Sequence, residues 1–416
     1  MLKFLKYYQR QILKIVLYDR IPPERFLNSF KIIECLLINW KFMSWILNTP
    51  NEEKIIIMNK NIYSVIVGTG SYIPTITIHN RHFLNNEFYS SEGEKLERKN
   101  EEIIKKFQEI TGICERRYVE DNLVTSDIAF YAAKDALNSS KIDKETLDYI
   151  IVAHNFGDVS VDNRKSDLVP SIAGRLKNKL NIENPKTVSY DLPFGCPGWL
   201  QGIIQADCYI QSKTAKKILV IGAETLSRIS DPHDMDSMIY ADGAGATLIK
   251  AVESKEPVGI LSHVCRSDTF NHLDLLRMGK SYCPEYDKND LFLKMDGHKV
   301  YQYALQIVPC VVKECIEKAG LSINDIGKLL LHQANRKMDE AILKRLYALY
   351  GIKKVPSGLM PMTINWLGNT SVATLPTLID LLFREKLDGH KLSKGDCVVL
   401  ASVGAGMNTN AVTYKC

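Results

Sequence analysis

Two stretches of this chain recur later in the sequence, in the same order, so the fold is predicted to contain two copies of one unit. Residues 136–153 (ALNSSKIDKETLDYIIVA) align without a gap with residues 315–332 (CIEKAGLSINDIGKLLLH). Residues 195–210 (GCPGWLQGIIQADCYI) align in the same way with residues 368–383 (GNTSVATLPTLIDLLF). The first pair is typical of a helix end, a polar turn and an apolar strand, and the second of a glycine turn into an apolar helix. Chance likeness of two αβ units is the alternative, but two matches in one order count against it.

From residue 58 onward, short apolar runs alternate with segments of helical length. The clearest runs are apolar throughout and lie at residues 149–153, 219–222, 329–331 and 398–401. Such runs are typical of strands in a largely parallel sheet that helices cover on both faces. The pattern predicts an α/β fold with an N-terminal half at residues 58–250 and a C-terminal half at residues 251–416.

Residues 1–57 differ in composition from the rest of the chain. They hold nine Lys and Arg against five acidic residues, so most of the net charge of +5 lies there. The nearly neutral remainder does not suggest a nucleic-acid surface. Charges interrupt every apolar run in this segment, and none reaches the roughly 18 residues that a membrane span needs. We expect an extension outside the fold, with a basic amphipathic helix on a membrane surface as the alternative.

The ten cysteines contain no C-x-x-C pair and resemble neither a zinc site nor a disulfide framework. A reducing, cytoplasmic setting fits this usage best. No His, Asp or Glu cluster has metal-ligand spacing, and the Gly-Thr-Gly turn at 68–70 lacks the full dinucleotide fingerprint. The sequence therefore predicts neither a metal nor a cofactor.

The residues around Cys196 are typical of a catalytic cysteine. Gly195 precedes it, and Pro197 fits the first position of a helix, where a missing N–H costs nothing. The positive end of that helix would favour a thiolate. A thiolate is both a nucleophile and a good leaving group, which suits acyl exchange between thioesters. A buried structural cysteine is the alternative.

His332 and Asn369 are the companion candidates. His332 leaves the apolar run at 329–331, and Asn369 follows Gly368 before an apolar helix. Each also has a structural interpretation: His332 could be a buried core residue, and Asn369 could cap its helix. In a duplicated fold, however, the equivalent helix starts would face each other, which would bring Cys196, His332 and Asn369 together. Imidazole and amide N–H groups could then donate to an oxygen that gains charge.

Gly406 lies in the Gly-Ala-Gly segment after the last apolar run, and this segment has two possible roles. The segment could be a plain turn. It could also bring a backbone N–H against a substrate carbonyl, because glycine has no side chain to block the approach.

Together these motifs resemble the beta-ketoacyl-acyl-carrier-protein synthase III family of the thiolase-fold superfamily, of which the chain looks like a divergent member. The matching motifs run in family order from about Ser64 to the C-terminus and are VGTGSYIP, ITGICERRY, GCPGW, ADGAGA, LLLHQAN, GNTS and VGAGM. The resemblance implies a thiolase-like, duplicated α/β/α/β/α five-layer fold, a homodimer and a Cys-His-Asn triad.

The resemblance also implies an activity. Cys196 would carry an acyl group taken from an acyl thioester, and His332 and Asn369 would assist decarboxylation of a malonyl thioester on acyl carrier protein. The backbone N–H groups of Cys196 and Gly406 would form the oxyanion hole. The product would be a 3-oxoacyl thioester of fatty-acid or related secondary-metabolite synthesis. The alternatives are Cys-dependent acyl transfer to oxygen or nitrogen without decarboxylation, and a non-catalytic partner subunit.

The sequence departs from the family pattern in the segments that usually bind coenzyme A. A Trp followed four residues later by Arg usually precedes Thr-Gly-Ile, but residues 105–113 (KKFQEITGI) contain neither. A second Arg is expected before the Asp-Gly-Ala-Gly turn, and residues 231–240 contain none. Delivery of the acyl chain on a carrier protein is the alternative to the usual coenzyme A site.

Overall fold

The computed structural model describes residues 61–416, and the predicted extension at 1–57 lies outside the described residues. Within the described range the chain forms one unit with thirteen strands and nine α-helices. The strands are β1 (Asn61–Tyr72), β2 (Ile76–His79), β3 (Glu115–Tyr118), β4 (Tyr149–Ala153), β5 (Val188–Leu192), β6 (Lys217–Thr225), β7 (Asp242–Ser254), β8 (Gly259–Ser267), β9 (Leu276–Gly279), β10 (Phe292–Met295), β11 (Ile326–Leu331), β12 (Cys397–Gly404) and β13 (Asn408–Lys415). The helices are α1 (Asn100–Thr111), α2 (Thr125–Ser140), α3 (Ile172–Lys179), α4 (Gly198–Gln211), α5 (Thr269–His272), α6 (Gly297–Lys318), α7 (Arg336–Leu349), α8 (Ile364–Leu367) and α9 (Thr374–Phe383).

Two sheets with the same internal pattern form the centre of the molecule. One has the strand order β1-β7-β6-β4-β5 and the other the order β8-β13-β12-β11. In both, a parallel pair (β4 with β6, β11 with β12) is followed by two antiparallel strands. The predicted parallel pairs are present, and each sheet also contains antiparallel strands that the apolar pattern alone does not reveal.

Helices α4 and α9 lie between the two sheets, because each packs on strands of both. They occupy the equivalent places of the second repeated segment. Helix α9 is buried over nearly its whole length, whereas α4 exposes Cys208 and Gln211 near its end. Helices α2 and α3 cover the outer face of the first sheet, and α6 and α7 cover that of the second. The resulting order is helix, sheet, helix, sheet, helix, with one buried apolar cluster in each helical layer.

The two halves meet in the short connection between β7 and β8. Strand β7 continues to Ser254 and β8 begins at Gly259. The predicted boundary at residue 250 falls inside β7, because the charged end of this strand gives no apolar signal. Among the described helices, none combines the length and the apolar character that a membrane crossing requires.

Candidate active site

Cys196 lies in the loop between β5 and α4, pressed against the second half of the fold. A side chain at Gly404, at the end of β12, would place its Cβ 2.5 Å from the Cys196 backbone nitrogen. Gly195 has a φ of +67°, and a Cβ there would lie 2.8 Å from the backbone nitrogen of Ala405. Helix α4 begins at Gly198, one residue after the predicted start, with Pro197 as its N-cap. The glycines therefore let two backbones approach closely at the nucleophile.

Asn369 is joined to Cys196 through Ser371. The Ser371 hydroxyl donates to Cys196 Sγ at 3.3 Å, and the Ser371 backbone N–H donates to Asn369 Oδ1 at 2.8 Å. The Asn369 backbone is held by the first half, since its N–H donates to Ile239 O and its carbonyl accepts from the Ala241 N–H. Because Oδ1 is occupied, the Asn369 side chain presents Nδ2 as its free donor.

The predicted preference for a thiolate is wrong for the free site. Cys196 is half-buried, and burial raises the pKa of its thiol to about 11. The hydrogen bond from Ser371 acts in the opposite direction and lowers the thiol pKa, while the nearby Glu224 raises it further. Removal of sulfur from water outweighs the favourable hydrogen bond, so Cys196 is a thiol at neutral pH.

His332 directly follows β11 and extends its pairing with β12, since its backbone N–H donates to Ala401 O at 2.8 Å. The side chain is 6% exposed, and burial lowers the pKa of the imidazole to about 4. Its Nδ1 is buried and has no hydrogen-bond partner among the described residues. A buried N–H without an acceptor is unfavourable, so the neutral imidazole is expected to carry its proton on Nε2 and not on Nδ1. That tautomer makes Nε2 a donor.

Gly406 lies in the turn that touches the nucleophile loop. It has a φ of +71°, a conformation that side chains rarely adopt, and a Cβ there would lie 3.0 Å from Asn408 Nδ2. Asn408 Nδ2 donates to Ala405 O at 3.0 Å and closes the turn. The backbone of 404–405 thus lies beside Gly195 and Cys196, and Gly406, the predicted oxyanion-hole residue, follows it in the same turn.

Two polar residues that the sequence analysis did not single out complete this network. Asn155 follows β4, and Glu224 lies near the end of the neighbouring parallel strand β6. Asn155 Nδ2 donates to Glu224 Oε2 at 2.6 Å and to Ser371 Oγ at 3.3 Å. The available signal was their position, because the carboxyl ends of adjacent parallel strands meet at one edge of the sheet.

Comparison with known proteins identifies the family. Residues 190–269 match the family described as 3-oxoacyl-[acyl-carrier-protein (ACP)] synthase III, and residues 316–416 match its C-terminal part. A beta-ketoacyl-[acyl-carrier-protein] synthase III of Staphylococcus aureus (strain JH1) is 34% identical over 353 residues, which are 84% of this chain and 98% of that protein. The chain belongs to the beta-ketoacyl-[acyl-carrier-protein] synthase III family.

Solved structures of synthase III proteins have the same fold. The Thermus thermophilus protein is 30% identical with a TM-score of 0.69, and the alignment covers 85% of this chain and 99% of that one. The Aquifex aeolicus VF5 protein is 26% identical with a TM-score of 0.68 and covers 85% and 100%. Membership of the synthase III family confirms the predicted thiolase-like α/β fold and the predicted condensing acyltransferase.

The two segments that depart from the synthase III pattern line one cavity. It has a volume of about 480 Å³ and is lined mainly by apolar side chains. Lys106, Phe107 and Ile110 of α1 lie on one side, Met235 and Met238 belong to the 231–240 segment, and Asn369 also borders the cavity. The cavity therefore connects the departing segments with the residue that Ser371 joins to Cys196.

Proposed function

We propose that this chain condenses a Cys196-bound acyl group with a malonyl thioester on acyl carrier protein and releases a 3-oxoacyl thioester. The observation that best supports the proposal is the continuous contact from Cys196 through Ser371 to Asn369 at the edge of an apolar cavity. In the proposed reaction, Cys196 is the nucleophile and Asn369 the amide donor, so two halves of the fold would act together on one substrate.

Acylation of Cys196 is the first step. Sγ attacks the carbonyl carbon of the acyl thioester, the bond from that carbon to the donor sulfur breaks, and the thiol proton ends on the departing thiol. The N–H groups of Cys196 and Gly406 hold the tetrahedral oxyanion, as backbone donors do in acyl transfer. Because burial raises the pKa of Cys196 to about 11, proton loss accompanies the attack rather than preceding it.

Decarboxylation of the malonyl group is the second step. The carboxylate leaves as carbon dioxide, and the electron pair moves to the thioester oxygen as an enolate. His332 Nε2 and Asn369 Nδ2 donate hydrogen bonds to that oxygen, and preorganised donors of this kind contribute roughly 3–4 kcal/mol each. The enolate carbon attacks the Cys196 acyl group. Collapse of the adduct expels the cysteine sulfur, which takes up one proton.

The proposed partners are acyl carrier protein and an acyl thioester of coenzyme A or of the carrier. We also propose a cytoplasmic homodimer. In support, β5 pairs with β4 alone among the described strands, and an open strand edge is a surface that proteins usually cover.

The decisive experiment separates the two half-reactions. Asn369→Ala should slow carbon dioxide release from malonyl carrier protein roughly 100- to 1,000-fold, because one enolate donor is lost. It should leave acylation of Cys196 close to wild type, measured by intact-protein mass after incubation with a panel of acyl thioesters. Cys196→Ala should abolish the acyl mass increment. Acyl transfer without any carbon dioxide release from malonyl carrier protein would overturn the condensation proposal.

A further inference from the structure

We propose that Ser371, oriented by Asn155 and Glu224, is the positioning residue that directs a hydrogen bond at the Cys196 sulfur and fixes which end of the Asn369 amide faces the substrate. The inference rests on the proposed role of Cys196 as the acyl carrier. It assigns a function to three polar residues that the mechanism above does not use.

The direction of the network is fixed at Asn155. Its Oδ1 accepts from the Gly195 N–H at 2.9 Å, so its Nδ2 must be the donating end. Nδ2 and the Asn155 backbone N–H both donate to Glu224 Oε2, at 2.6 and 3.0 Å. Glu224 is fully buried, and these two hydrogen bonds hold Asn155 in place.

The same amide fixes the Ser371 hydroxyl. Ser371 Oγ lies 3.3 Å from Asn155 Nδ2 and therefore accepts from it. A hydroxyl has one hydrogen, and the remaining partner of Oγ is Cys196 Sγ at 3.3 Å. The hydrogen of Ser371 thus points at the sulfur. A hydrogen bond of this direction stabilises a thiolate more than a thiol.

The backbone of Ser371 orients the side-chain amide of Asn369. Its φ is +51°, an uncommon conformation for a residue with a side chain. The next residue, Val372, packs closely on β6, since a Cβ at Gly222 would lie 2.3 Å from Val372 O. In this conformation the Ser371 N–H reaches Asn369 Oδ1 at 2.8 Å, which leaves Asn369 Nδ2 as the donor. Strained residues held by packing are typical of functional sites.

Alkylation of Cys196 by iodoacetamide at about pH 8, resolved by peptide mass spectrometry, tests the inference. Ser371→Ala should slow alkylation roughly three- to tenfold, because loss of a hydrogen bond to a charged group raises the thiol pKa and lowers the thiolate fraction. A purely steric role predicts the reverse, since a smaller side chain opens the way to sulfur. Ser371→Gly should act like Ser371→Ala, and it tolerates the positive φ.

Two further variants test the direction of the network. The double variant Asn155→Asp, Glu224→Gln keeps the net charge and replaces the donor at residue 155 with a carboxylate that attracts the Ser371 hydrogen away from sulfur, so it should slow alkylation as much as Ser371→Ala does. Glu224→Gln keeps an acceptor for Asn155 and removes a charge that raises the Cys196 thiol pKa, so alkylation should stay at the wild-type rate or rise, in contrast to its fall in Ser371→Ala. If the double variant leaves the rate unchanged in a folded chain, the proposed direction is wrong.

Ser262→Ala is the matched control. Ser262 is a buried serine whose Oγ lies 3.4 Å from Cys315 Sγ, far along the chain from Cys196. Its removal should leave Cys196 alkylation at the wild-type rate. Unchanged alkylation in folded Ser371→Ala and Ser371→Gly would overturn the inference. Because alkylation needs no acyl donor, this result is separate from a failure of Cys196 to take up an acyl group.

Discussion

At the scale of single residues, burial keeps Cys196 and His332 neutral. It raises the pKa of the Cys196 thiol to about 11 and lowers that of the His332 imidazole to about 4. Cys196 and Asn369 could be predicted from the sequence because each follows a glycine that precedes an apolar helical segment. Ser371 could not be predicted, because its role depends on a positive φ and on Asn155, which lies far away in the sequence.

His332 gives a prediction about pH. A histidine whose pKa falls to about 4 becomes charged only below that pH, so its state is constant through the neutral range. Glu224 of the same network titrates in this range, since burial raises its pKa to about 7, so it is removed together with the thiol. Malonyl decarboxylation by the double variant Cys196→Ala, Glu224→Gln should therefore show no inflection between about pH 5.5 and pH 8.5. Carbon dioxide release measured across that range checks this, with circular dichroism confirming the fold at each pH. An inflection near the ordinary histidine pKa of about 6.5 would contradict a neutral imidazole donor.

At the scale of elements, the repeated segments predicted real pairs of structural units. The first pair became α2 with β4 and α6 with β11, and the second became α4 and α9. Periodicity and turn residues carry this information locally. The contact between the 404–405 backbone and Cys196 is different, because it arises only when β12 of one half meets the loop before α4 of the other.

Gly404→Ala tests that contact. The residue has an extended φ of −167°, so alanine is not strained there, but its Cβ would lie 2.5 Å from the Cys196 nitrogen. The new Cβ should displace the Cys196 backbone N–H, a predicted oxyanion donor. Acylation of Cys196 should then be roughly 100-fold slower, as after loss of an oxyanion donor. The crowding should lower the free energy of unfolding by about 1–3 kcal/mol.

Gly327→Ala in β11 is the matched control for that variant. A Cβ there meets its nearest atom, Cys397 O, at an ordinary 3.6 Å. Acylation kinetics by mass spectrometry and urea unfolding should both stay near wild type. Equal acylation rates for the two variants would show that the 404–405 contact does not position the nucleophile.

At the scale of the whole molecule, the five layers explain how distant residues reach one site. Helices α4 and α9 share the central layer, and the residues just before each helix include Cys196 and Asn369. Duplication predicts that the starts of these equivalent helices lie near each other, and both helices do share the layer between the two sheets. The order of the antiparallel strands could not be predicted, because it depends on pairing between segments far apart in sequence.

The five-layer fold should need only the residues from Met58 onward. Residues 61–416 form one unit, and the 353-residue match spans 98% of the Staphylococcus aureus relative. A chain that begins at Met58 should therefore keep the thermal midpoint and the acylation rate of the full chain. Deletion through Gly70 should instead prevent folding. It removes β1, whose Ser64 hydroxyl bonds Asp207 at 2.6 Å and whose glycines let α2 pack closely. Loss of activity in the Met58 chain, with its fold intact, would mean that the first 57 residues take part in the reaction.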